Sequence, residues 1–162
     1  MIINKLLIAF MFVLLGAQVS AKEHYKGLGA YESEDFEEAI KELKPLGEQG
    51  NVKAQELVGL MYYRGQGVPE DNAVALKWFL LAAKQGNNHA QLMLGIMHTF
   101  GHSVGTDYKL AYMWHNLAAF NGHPEGDFFK EKIAKRLLPS ELKTAQSMAR
   151  ECMKSDYKKC GY

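Results

Sequence analysis

Residues 51–86 read NVKAQELVGLMYYRGQGVPEDNAVALKWFLLAAKQG, and residues 87–122 read NNHAQLMLGIMHTFGHSVGTDYKLAYMWHNLAAFNG. Laid over one another without a gap, the two stretches agree at 14 of 36 positions. The first half shares Asn51/Asn87, Ala54/Ala90, Gln55/Gln91, Gly59/Gly95, Met61/Met97, Gly65/Gly101 and Val68/Val104. The second half shares Asp71/Asp107, Ala75/Ala111, Trp78/Trp114, Leu81/Leu117, Ala82/Ala118, Ala83/Ala119 and Gly86/Gly122. Self-similarity at a fixed period of this length marks a chain built from one supersecondary unit used more than once.

The unit can be read from its residues. Ala54 to Arg64 holds no proline and has apolar residues at helical spacing, so it predicts a helix. Gly59 falls inside it, where glycine costs about 1 kcal/mol relative to alanine. Its recurrence as Gly95 points to a close helix–helix approach that a side chain would block. Gly65-Gln66-Gly67-Val68-Pro69 cannot continue the helix and forms the turn. Asp71 is suited to cap the second helix, on which Ala75, Trp78, Ala82 and Ala83 share a face. Gly86 is expected to end it, at the position where φ is often positive. A helix hairpin of this kind cannot bury its apolar face alone. Stacked neighbours bury it, giving an all-α solenoid, an α/α superhelix.

The flanks are partial copies. Asp35, Ala39 and Gly50 match Asp71, Ala75 and Gly86 at the same shift. A first hairpin therefore covers His24–Tyr31 and Asp35–Gln49, with Pro45 expected to kink its second helix. Beyond Gly122, helices are expected over Pro124–Leu138 and Glu141–Lys154, broken at Pro139-Ser140. This last pair lacks the glycine-rich turn. It carries Lys130, Glu131, Lys132, Lys135, Arg136, Lys143, Arg150 and Glu151, the solvated face expected of a capping repeat.

The pattern A-x4-G, then G-x-G-V, then D-x3-A-x2-W-x3-A-A-x2-G resembles the Sel-1-like repeat, a helical-solenoid relative of the tetratricopeptide repeat. The match is tighter in 51–86 than in 87–122, where Ser103 stands for the second turn glycine and His98 for a usual tyrosine. The resemblance implies a right-handed superhelix and a part in protein–protein interaction, with no particular partner. The resulting division is a leader, 1–21; an N-terminal partial repeat, 22–50; two repeats, 51–86 and 87–122; and a C-terminal cap with a tied tail, 123–162.

The leader reading rests on Met1–Lys5 with one positive charge, the apolar run Leu6–Ala17, and small residues at Val19 and Ala21. This is the layout of a secretory signal peptide, cut near Ala21. The run is shorter than the roughly 20 residues that span a bilayer, and Lys22-Glu23 follows at once. The expectation is a periplasmic or secreted chain without stable membrane insertion. Lys5 is the only charge in 1–21, so the exported remainder carries 18 basic and 18 acidic residues. That balance offers no concentrated basic face for nucleic acid. With 48% hydrophobic and 23% charged residues, the composition is that of a globular domain. Export also places Cys152 and Cys160 where thiols tend to pair, and their spacing lets a disulfide close locally.

Motifs that could carry chemistry are sparse. Ser140-Glu141-Leu142-Lys143 matches S-x-x-K, the nucleophile motif of penicillin-recognising enzymes, but S-D-N and K-T-G are absent. The plainer reading is an N-cap serine after a proline. One cysteine-rich branch of the resembled family has been linked to β-lactam binding and places C-x7-C in each repeat; here only Cys152/Cys160 has that spacing. His98 and His102 are four apart, as two metal ligands on a helix would be. Gly101 lies between them and no H-E-x-x-H follows, so neither a metal nor another cofactor is expected. The Trp and Tyr residues at repeat spacing read as core.

A binding face is easier to derive. On the first helix of each unit, the stripe beside the packed one holds Lys53, Leu57, Leu60 and Arg64, repeated as His89, Met93, Ile96 and Phe100. If these helices line the concave surface, Leu57, Leu60, Met93, Ile96 and Phe100 form an apolar groove edged by Lys53 and Arg64. The competing expectation is that a neighbouring helix buries them. The sequence thus points to an exported module that grips a protein or peptide partner. An envelope hydrolase acting on cell-wall peptide or β-lactam, and a secreted effector engaging host proteins, are the alternatives.

Overall fold

The computed structural model describes residues 26–160. The leader expected over 1–21, its cut near Ala21 and the start of the first hairpin lie outside the described residues. A helical segment α1 is described over 26–32. It is followed by α2 (Phe36–Glu48), α3 (Val52–Arg64), α4 (Asn72–Ala83), α5 (Asn88–Phe100), α6 (Tyr108–Phe120), α7 (Gly126–Ala134) and α8 (Pro139–Lys154). No strand occurs among the described residues. Each helix from α2 to α6 packs on the next, and α6 also packs on α7 and α8. The fold is an all-α solenoid of stacked hairpins, as the repeat requires.

Equivalent residues start the helices in the same way. The Asn51 side-chain oxygen accepts from the Ala54 N–H at 2.9 Å, and Asn87 accepts from Ala90 at 2.8 Å. Asp71 accepts from the N–H groups of Ala73 and Val74, both at 2.9 Å. Asp107 accepts from Lys109 and Leu110, at 2.9 and 3.0 Å. Such caps satisfy helix N–H groups that have no partner within the helix, each contributing about 1 kcal/mol.

The turns repeat as well. Gly65 (φ 65°) and Gly67 (φ 68°) in the first copy correspond to Gly101 (φ 76°) and Ser103 (φ 58°) in the second. At Gly67 a Cβ would also lie 2.3 Å from the Phe36 carbonyl oxygen. Glycine is needed there for space as well as for backbone freedom.

The mid-helix glycines are close approaches. A Cβ at Gly59 would meet the Phe79 ring at 2.7 Å, and one at Gly95 would meet the His115 ring at 2.4 Å. Phe79 and His115 are equivalent positions, so each repeat seats a ring against a bare backbone. A buried amide ladder repeats too. The Gln55 side-chain NH2 donates to the Gly47 carbonyl at 2.9 Å, and Gln85 donates to the Gln55 side-chain oxygen at 2.8 Å. One unit later, Gln91 donates to the Ala83 carbonyl at 3.1 Å, and Asn121 donates to the Gln91 side-chain oxygen at 2.9 Å. Each buried Gln therefore links its own unit to the end of the preceding hairpin, donating to a carbonyl that also accepts a backbone N–H, Gly50 to Gly47 and Gly86 to Ala83.

Several boundaries differ from the sequence expectation. The helix containing Pro45 is Phe36–Glu48, within one residue of the expected Asp35–Gln49 at each end; only the bond from residue 45 is lost, and the following N–H groups still find partners. α4 stops at Ala83, with Gly86 (φ 83°) in the turn beyond its cap. α7 is Gly126–Ala134, shorter than Pro124–Leu138. α8 opens at Pro139 rather than Glu141, with Leu138 as its N-cap residue. Ser140 is inside the first turn and is not the cap; the Glu141 carboxylate takes the Leu138 N–H at 2.9 Å. Proline at the first helical position lacks only an N–H that would have had no partner anyway.

The tail is tied down. Cys152 and Cys160 form a disulfide, and both are buried. The loop between them places Tyr157 so that its hydroxyl donates to the Asn121 side chain at 2.9 Å, at the end of α6. α8 lies along α6, with Ala145 and Leu142 beside Ala111 and Tyr112. A closed loop this short stabilises by about 2–3 kcal/mol through the unfolded chain. Reduction is expected to lower the thermal midpoint by several degrees and to leave most of the helical circular dichroism in place. A transition identical in oxidised and reduced protein would contradict this role.

Candidate functional site

The eight residues of the expected binding stripe separate into four groups. Leu57, Leu60 and Met93 are only 4%, 4% and 7% exposed and belong to the central cluster. They are not an open groove. α3 is buried on all sides from Ala54 to Met61, so the stripe that adjoins its packed face is itself packed. The competing expectation holds for these three residues. Lys53 and His89 form a polar knot instead: Lys53 Nζ lies 2.8 Å and His89 Nδ1 3.1 Å from the Glu56 carboxylate. The Asn87 side chain also donates to Glu56, at 2.8 Å. Burial pushes the Glu56 carboxyl up, but the hydrogen bonds from His89, Lys53 and Asn87 together outweigh it and bring its pKa down to about 2. This knot joins α3 to the start of α5, and its polar groups are consumed by one another. Arg64 is exposed at the end of α3.

Ile96 and Phe100 are brought together, and at a place the sequence did not indicate. With Thr99 they form one wall of a groove of about 490 Å³. The opposite wall is Phe129, Lys132 and Ile133 of α7, with Lys135 and Arg136 from the turn that follows. Phe100 is 65% exposed, and Phe128, next to the groove, is 54% exposed. The Lys132 ammonium sits 4.3 Å from the centre of the Phe128 ring. The Arg136 guanidinium donates to the Tyr108 hydroxyl at 2.8 Å, which fixes its direction.

The basic residues of α7 read, in sequence, as the solvated face of a cap. The available signal was Phe129 and Ile133 at helical spacing, interleaved with Lys132 and Arg136. It said that α7 has an apolar face, but not that α5 leaves a gap opposite.

The remaining candidates have structural positions. Ser140 and Lys143 are both exposed at the start of α8. His98 is buried in α5, while the His102 ring nitrogen lies 3.1 Å from the Tyr63 hydroxyl. No group of three or more metal-ligating side chains occurs among the described residues. None of the described helices is long and apolar enough to cross a membrane.

Stacked helix hairpins with a groove between α5 and α7 define a helical-repeat scaffold. The Sel1 repeat family matches at residues 52–87 and 88–123. The chain carries two copies of the Sel1 repeat, a repeat that suggests a protein–protein interaction module. Among solved structures it is similar to c5321, a protective antigen present in uropathogenic Escherichia coli strains that displays an SLR fold. The TM-score is 0.79 at 23% identity, over 85% of this chain and 31% of that one. It is also similar to a Sel1 repeat protein from Oxalobacter formigenes, with a TM-score of 0.66 at 26% identity, over 78% of this chain and 54% of that one. The chain thus spans about a third and about half of these two. No curated protein matches it.

Proposed function

We propose that the protein is an exported interaction module that holds another protein in the groove between α5 and α7. The observation that carries this reading is the groove itself, where Phe100 stands in water beside a basic rim. Burying Phe100 in a complex would contribute about 1.5–3 kcal/mol to association. The repeat family supports a protein partner. Export is supported by the leader layout of residues 1–21 and by the closed Cys152–Cys160 pair, which suits an oxidising compartment. On this reading the partial repeat 22–50 and the cap 123–162 close the two ends of the stack.

The test is site-specific photo-cross-linking in the native host. A photoreactive amino acid at position 100 is expected to capture a discrete protein, and the same group at position 81, exposed on α4, is not. Equal capture from both positions, or none from position 100, would sink the groove as the binding site. The identity of the captured protein separates a resident envelope module from an effector. Sequencing the isolated protein is expected to find Lys22 at the N-terminus, and a chain still beginning at Met1 would remove the export reading.

A further inference from the structure

The rim of the α5–α7 groove is basic with no acid in its lining, although exposed cations elsewhere, such as Lys44, Lys77 and Lys84, also form no ion pair among the described residues. Lys26, Lys41, Lys53, Lys130 and Lys154 each face a carboxylate within ion-pair distance. Lys132, Lys135 and Arg136 form no ion pair among the described residues. No Asp or Glu lines the groove. Glu131 is exposed on α7 and outside the lining, and Asp127 is taken by Lys130. The chain after the leader is formally neutral, so three cations around one groove without an acid is a local asymmetry. Three like charges lining one groove repel unless something compensates them. Arg136 is nevertheless fixed by Tyr108, and Lys132 lies over Phe128. Between these cations and α5 the floor is apolar.

We propose that the groove takes an acidic segment of the partner carrying one bulky apolar side chain. That side chain rests on Ile96, Phe100, Phe129 and Ile133, and carboxylates on either side of it meet Lys132, Lys135 and Arg136. The proposal rests on the groove being the docking site and adds the chemistry of what docks. An aromatic anchor in a pocket with charged contacts at the rim is the usual division of labour at protein interfaces: the buried group supplies affinity, and the rim supplies selection and encounter rate. An anionic membrane also attracts basic and aromatic residues, but that mode needs a continuous apolar helix face, and here the apolar lining is divided between α5 and α7.

The test uses the leader-free chain, 22–162, with its disulfide closed. Fluorescence anisotropy is measured with three labelled peptides, GSDEFDEGS, GSKKFKKGS and GSDESDEGS. The first is expected to bind at least ~10-fold more tightly than either of the others. K132E/K135E, which alters two exposed side chains, is expected to lose ~10-fold for the acidic peptide while keeping its helical spectrum, and raised salt is expected to weaken the wild-type complex. Equal affinity for the acidic and basic peptides, undiminished binding by K132E/K135E, or no binding of GSDEFDEGS at ~1 mM overturns the proposal. Tight binding to phosphatidylglycerol vesicles that K132E/K135E abolishes, with no binding of the acidic peptide, also overturns it in favour of a lipid surface. Capture from position 100 together with any of these failures would leave the docking site standing and remove only its acidic preference.

Discussion

Trp114→Ala is expected to destabilise the folded chain by about 3–5 kcal/mol, measured as a lower denaturation midpoint in urea. Trp114 is 0% exposed and is the largest fully buried side chain among the described residues. Its helix, α6, carries alanine at positions 111 and 118, both 0% exposed, so the helices approach closely and the indole fills the volume between them. Large-to-small changes at a fully buried aromatic carry a cavity cost on top of the lost burial. α6 also touches α5, α7 and α8, so damage there loosens the cap as well as the repeat. Trp78, the equivalent residue, is 9% exposed and lies against Gly47. Trp78→Ala should cost less, because water can enter part of the space. A loss below about 1 kcal/mol at Trp114 would mean that the stack does not depend on this packing.

The fold was legible in the sequence because repetition supplies its own control. Gly65/Gly101, Asp71/Asp107 and Trp78/Trp114 each identify a turn, a cap and a core position twice, so one accidental residue cannot mislead. The binding face was less legible, for a physical reason. Helical periodicity places Leu57, Leu60 and Met93 on one stripe, but it does not say whether a neighbour covers that stripe. In this fold they are buried, and only the far end, Ile96 and Phe100, opens to solvent. The other half of the groove comes from α7, which belongs to the cap and has no repeat signature. Lys132, Lys135 and Arg136 look like ordinary solvated charges until the fold shows that no acid stands opposite. The Gln55 and Gln91 ladder is intermediate: identity marked both positions, but their carbonyl partners are defined only by the stacking of one hairpin on the next.

Acid is expected to weaken the fold, beginning between pH 6.5 and 4, with His115 as the main cause. Its ring is 0% exposed, stacked on Phe129 at 5.2 Å, and no hydrogen-bond partner reaches either nitrogen. Burial, reinforced by His123 nearby, pushes its pKa down from 6.5 to about 4. Above pH 6.5 the ring is neutral in both the folded and the unfolded chain, and its contribution is fully present. As the pH falls from 6.5 towards 4, the unfolded chain binds the proton and the folded chain does not, so stability is lost. Below about 4 both are protonated and the loss, about 3 kcal/mol from this residue, is complete. Burial also lowers His98 and His123, which act in the same direction. Glu56, held near 2, adds a separate loss only as the pH falls below its ordinary value of 4.5. His115→Phe separates these contributions. Phe79 already occupies the equivalent seat against Gly59, so a phenyl ring is suited to the site without rebuilding it. The variant should be more stable than the natural chain at pH 5, and its stability should fall less between pH 6.5 and 4 by about one proton. Denaturant unfolding of both proteins across that range measures the difference. Parallel pH profiles would mean that His115 is not the group that takes up the proton.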